Sequence, residues 1–183
     1  MTKPVDNVTL FIATQPFAPS DGERWSSYFE WANIPGLEEI VGLDSMLCPR
    51  IVTEFVDEDW EHMVCEDYRL GYFHHLEYLR DRVKDVSRRN ILGLYRNPDT
   101  HLEMPPGPGF MFCGYDLIEE MTQISAINNC GGFPETFQNC ELNQFGLIGN
   151  FVRASEVRRL LQINNPQGPH ANCELYAIWR LQG

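Results

Sequence analysis

Cys130 stands in the string Asn128-Asn129-Cys130-Gly131-Gly132-Phe133-Pro134, ahead of two glycines and a proline of the kind that opens a helix. A thiol becomes a useful nucleophile when a helix N-terminus or a nearby imidazole lowers its pKa. Successive N–H groups around the two glycines would make an anion-binding nest. His170, with Asn172 or Glu174 to orient it, would supply the base. The same string is fully accounted for by a tight turn, since asparagine and glycine are the residues that positive-φ turns take. Local signatures of known thiol-enzyme nucleophiles are not found around it. The turn is therefore the expected role, and catalysis by Cys130 and His170 is the alternative.

Metal chemistry is the second candidate. His62-Met63-Val64-Cys65-Glu66 and His170-Ala171-Asn172-Cys173-Glu174 share the form H-x-x-C-E. On a helix His62 and Cys65 share a face, and the two pairs together would close a tetrahedral zinc site. The spacing departs from finger patterns, and the second copy falls where a loop should meet a strand. No metal is the leading expectation; His62, Cys65, His170 and Cys173 are the alternative set. His74 and His75 add little, because neighbours on a helix point apart. Paired carboxylates are plentiful, but general acid–base work needs a pair from separate segments facing one cleft. There is no P-loop, G-x-G-x-x-G, H-E-x-x-H or G-x-S-x-G. No cofactor is expected.

Charge supplies the third candidate. The formal net charge is −12, which repels phosphate backbones and anionic lipid surfaces and makes nucleic acid and membranes poor partners. From Glu54 to Asp67 there are seven acids and no lysine or arginine, with Trp60 and Tyr68 among them. Aromatic anchors ringed by steering carboxylates suit an interface for a basic protein. Glu54, Asp57, Glu58, Asp59, Trp60 and Glu61 are its candidate residues. The competing account puts most of these rings in the core and leaves the acids to confer solubility. The expected function is a small acidic, non-enzymatic protein-binding module of inhibitor, immunity-like or adaptor character. A thiol- or zinc-dependent enzyme with a site near Cys130 and His170 is the alternative.

The elements that must position these residues follow from length and pattern. The 183 residues suit a single globular domain spanning 1–183, which buries enough surface to need no disulfide. Six cysteines without regular pairing, together with the lack of a secretory signal, point to a cytoplasmic protein. No run approaches the ~18 apolar residues that span a bilayer. Residues 7–13 read as a first strand. Ser20 to Glu23 has capping-box form ahead of Trp25, Tyr28, Phe29 and Ala32 at helical spacing. Residues 37–56 hold one or two helical turns and a short strand. Trp60, Val64, Tyr68, Tyr72, Leu76, Leu79, Val83 and Val86 predict a helical region from Asp57 to about Ser87, bent at Gly71. A strand followed by a turn is expected over 90–99, and further strands over 110–120 and 173–181, with Gly114 marking a bulge or close backbone approach. Pro134 opens a short helix, and Ser155 caps another that Pro166 closes. The sum is an α+β domain, a mostly antiparallel sheet of four or five strands with three or four helices packed on it.

Overall fold

A computed structural model of the chain describes residues 9–65, 69–101, 104–128 and 135–183. Five strands, β1 (Leu10–Thr14), β2 (Asn90–Arg96), β3 (Phe110–Glu119), β4 (Ile124–Ser125) and β5 (Glu174–Leu181), form one sheet in the order β1-β2-β5-β3-β4. Every pairing is antiparallel. Four helices accompany it: α1 (Glu23–Ala32), α2 (Asp59–His62), α3 (Leu76–Arg82) and α4 (Phe151–Asn164). The expected α+β class is the observed one.

The last strand in sequence is the middle strand in space, because it is apolar on both sides. Leu175 and Ala177 pack with Trp25 and Ala32 of α1 and Ala154, Val157 and Leu161 of α4. Trp179 continues that face toward Leu79 of α3 and the adjoining Val83. Tyr176 and Ile178 point the other way, where they meet Val41, Leu43, Val64, Tyr72, Phe145 and Leu147. Helices thus cover one face, and irregular segments cover the other.

β3 serves both faces through a register shift between Phe112 and Gly114. Phe110 and Phe112 lie opposite Leu181 and Trp179, and beyond the bulge Tyr115 and Leu117 lie opposite Ala177 and Leu175. The extra residue keeps all four rings and chains on the helix-covered face; strict alternation would have turned the second pair over. Gly114 sits at φ 144°, and a Cβ there would come within 2.6 Å of Leu147 Cβ. Both expected reasons for this glycine hold together.

Several local expectations are corrected. The region from Asp57 to Ser87 is not one bent helix: α2 and α3 are short, and the chain between them is extended where Phe73 bridges both Phe11 and Met63. Tyr72 and Phe73 are both buried, yet in different core clusters. Adjacent residues serving opposite sides are a strand habit, and Gly71 at φ 89° sets up the change. Residues 37–56 form neither helix nor strand, only isolated bridges of Ile40 to Phe17 and Arg50 to Thr14. The Ser20 capping box does not form. Instead the Asp21 carboxylate accepts the Ala18 N–H at 2.8 Å and pairs with Arg88 at 2.7 Å, and α1 begins after Gly22. α4 is capped by Asn150, five residues before the expected Ser155, with the Asn150 side chain accepting the Arg153 N–H at 3.0 Å. Of the helix expected after Pro134, the described residues show only a 3-10 turn at Asn139–Glu141.

Gly114→Val should destabilise the fold by roughly 2–4 kcal/mol, from strained φ and overpacking against Leu147 combined. Urea denaturation followed by circular dichroism measures it, and a loss below about 0.5 kcal/mol would contradict the tight approach.

Candidate functional site

Asp59 organises the stretch that carries most of the chain's concentrated charge. Its side chain is fully buried (0% exposed). One oxygen accepts Arg82 Nε at 2.8 Å and the Tyr78 hydroxyl at 2.7 Å; the other accepts Arg82 Nη2 at 3.1 Å and the Val56 N–H at 2.8 Å. Arg82 also donates to the Glu54 carbonyl at 3.0 Å. Burial alone would raise the Asp59 pKa, but the Arg82, Val56 and Tyr78 donors outweigh it and hold the carboxyl below its usual range. Burial and donation to Asp59 push the Tyr78 hydroxyl up to about 12, so it stays a donor at neutral pH.

With Asp59 turned inward, its neighbours turn outward. Trp60 is 48% exposed, Val56 is 45% exposed, and the Phe55 ring lies 6.0 Å from that of Trp60. Glu54, Asp57, Glu58 and Glu61 are exposed around them, and among the described residues their carboxylates enter no ion pair. Five of the six residues expected at the binding face lie on this surface. Asp59 does not: it is the buried anchor that shapes it. Tyr72, from the predicted apolar stripe, is in the core, and Tyr68 lies outside the described residues.

The two H-x-x-C-E segments do not come together as a metal site. His170 and Cys173 are buried in the turn before β5, where Arg158 donates to the Cys173 carbonyl at 2.8 Å. Burial lowers the His170 pKa against the opposing pull of Glu119, which favours the neutral imidazole. Cys65 is exposed, and His62 stacks on Tyr78 with its Nδ1 2.8 Å from Nδ1 of His75. Among the described residues no group of three His, Cys, Asp or Glu side chains is placed to hold a metal. Cys130 and its Gly-Gly turn lie outside the described residues.

A second polar centre lies beneath the sheet's loop-covered face. Asp116 on β3 and Asp44 are both fully buried, and Ser125 joins them: its hydroxyl donates to Asp116 at 2.6 Å and its N–H to Asp44 at 2.8 Å. Asp44 also accepts the Met46 and Leu47 N–H groups at 2.9 Å each. Burial pushes the Asp116 pKa up to about 6, opposed by the Ser125 hydroxyl and assisted by the Asp44 charge. Nearby, an open cavity of about 420 Å³ is lined by Ser45, Pro49, Arg50, Thr53, Met121, Thr122 and Gln123. Its two longest polar side chains are engaged with each other, Arg50 Nη2 donating to Gln123 Oε1 at 2.6 Å, and Tyr72 donates to the same oxygen at 2.9 Å. These contacts tie loops to the core.

Sequence reasoning missed Tyr78, Arg82 and His75 as the partners of Asp59 and His62. A helix dipole was a sufficient account of acids near 57 and bases near 82, so nothing in the spacing called for an ion pair between them. Among the described residues no helix is long and apolar enough to cross a membrane. No family model, curated protein or solved structure matches the chain.

Asp116 gives a signed pH dependence. Its folded pKa of about 6 exceeds the ordinary 3.8, so between these values the folded state binds more protons and stability falls as pH rises, by on the order of 3 kcal/mol in all. Carboxylates with lowered values, Asp21, Asp59, Glu119 and Glu141, act in the opposite sense but below about pH 4.5. Asp116→Asn should therefore flatten the decline in unfolding free energy between about pH 4.5 and 7. An unchanged slope would remove Asp116 as its source.

Proposed function

We propose that the chain is a non-enzymatic protein-binding module that docks a basic partner on the face formed by Glu54, Phe55, Val56, Asp57, Glu58, Trp60 and Glu61. One observation carries the reading: Trp60 is half exposed beside Phe55 on a segment whose shape is set by the buried Asp59–Arg82 pair. A tryptophan on a preorganised platform is the kind of anchor that dominates interface energies. Four surrounding carboxylates with no ion-pair partner among the described residues supply steering for a cationic surface. The net charge of −12 extends that preference to long range and disfavours nucleic acid. An inhibitor, an immunity-like protein or an adaptor would use such a face. Cys48, Cys65, Cys113 and Cys140 are free thiols, in keeping with a reducing compartment such as the cytoplasm. Nothing in the placement of His170 favours the thiol or zinc enzyme reading.

Two variants separate anchor from steering. With a partner identified by cross-linking through this face, the triple change Asp57→Lys, Glu58→Lys, Glu61→Lys should slow association at least tenfold and reverse its salt dependence. Trp60→Ala should leave association nearly unchanged and speed dissociation by more than about tenfold. Unaltered association, salt dependence and dissociation across both variants would dismiss the proposal.

A further inference from the structure

His62 closes α2 and His75 precedes α3, thirteen positions apart in sequence. Their Nδ1 atoms approach to 2.8 Å, with ring centroids 5.0 Å apart and planes at 78°. In a pair of neutral imidazoles only one of the two facing nitrogens carries the proton. A cation taking that proton's place would meet a lone pair from each ring. We propose that His62 and His75 form a binding site for a divalent transition-metal ion of the zinc type, with water completing its coordination.

The pair is held from both sides. The His62 ring stacks on Tyr78 at 3.9 Å with planes 21° apart, and the Tyr78 hydroxyl donates to buried Asp59, which Arg82 clamps in turn. On the backbone, the His74 N–H donates to the His62 carbonyl at 2.8 Å, and Met63 bridges Phe73. The rings therefore project from two segments fixed against each other before any ion arrives. Two imidazole nitrogens each 2.0–2.1 Å from a tetrahedral zinc stand about 3.3 Å apart, so the nitrogens must part by about half an ångström and the rings must turn to aim both lone pairs at the ion. In the neutral pair the proton on one Nδ1 moves to Nε2 of the same ring through solvent, so both Nδ1 lone pairs are freed without loss of a proton. Glu61 on α2 and Glu58 at its N-cap keep the local potential negative, which favours a cation. With two protein donors the site is an open surface site, weaker than a structural four-ligand centre. It rests on imidazole geometry and stands or falls separately from the docking face.

Titration of the metal-free full chain with zinc chloride at pH 7.5 by calorimetry tests it, with imidazole nitrogen chemical shifts identifying the ligating atoms. The expected result is one zinc per chain, with affinity lowered at least about tenfold in His62→Gln and again in His75→Gln, and by about tenfold in Tyr78→Leu, which removes the supporting ring. His74→Gln, an exposed neighbour outside the pair, should bind as the parent does. Circular dichroism confirms that each variant is folded. Zinc affinity in His62→Gln and His75→Gln equal to that of the parent chain, or no saturable binding by the parent chain, would overturn the site.

Discussion

A sheet whose middle strand is apolar on both sides has to be covered on both sides, and among the described residues helices cover only one. Tyr176 and Ile178 are shielded instead by segments with no regular ladder of their own, around Val41 and Leu43, around Val64 and Tyr72, and around Phe145 and Leu147. Burying irregular backbone is expensive unless each N–H and C=O finds a partner. Much of the chain's buried polarity answers that need. Asp44 accepts Met46 and Leu47, and the Ser125 hydroxyl stands within reach of the Ile127 and Asn128 N–H groups. Asn143 accepts Phe145 and Leu147 while donating to the Cys113 carbonyl. Asp116 completes the set from the sheet itself, at the cost of a carboxyl forced toward neutrality.

The negative charge of this protein is therefore of two kinds. Asp44, Asp59 and Asp116 are buried and are spent on backbone or arginine; they add to the formal charge without adding to the surface. Glu54, Asp57, Glu58 and Glu61 stand in water and set the field that another molecule meets. A run such as Asp57-Glu58-Asp59 mixes the two kinds within three residues, because α2 buries its first residue and exposes its flanks. Counting acids along the chain overstates the acidic face by the ones turned inward.

What the sequence made legible follows the same division. β2, β3 and β5 were clear because their apolar runs and bounding turns satisfy one sheet, and Gly114 announced the bulge by standing inside the longest of them. α1 was clear from Trp25, Tyr28 and Ala32, although Phe29, on the same predicted stripe, is exposed. The stretch from Trp60 to Val86 misled because three- and four-residue apolar spacing arises in two ways. A helix face produces it, and so does an irregular chain that sends Val64 and Tyr72 to one core cluster and Phe73, Leu79 and Val83 to another. The H-x-x-C-E repeat misled for a related reason: placing His62 and Cys65 on one face assumed a helix that ends at His62. Once that helix stops, the partner of His62 is a residue brought alongside by the turn back, and no local spacing encodes His75.

A four-residue helix cannot hold its own shape in water, since nucleation costs more than one turn of hydrogen bonds returns. The geometry of α2 comes from Asp59, whose contacts with Arg82, Tyr78 and the Val56 N–H fix the helix against α3. Trp60 and His62 leave that helix one and three residues later, so their positions are set by the same buried carboxylate. A molecule that displaced Trp60 would strain the Asp59 cluster and reach His62 through Tyr78, and an ion on His62 and His75 would stiffen the same cluster from the other side. Trp60 and His62 thus share one anchored turn, held by Asp59 within and by the His74 N–H on the His62 carbonyl at its end.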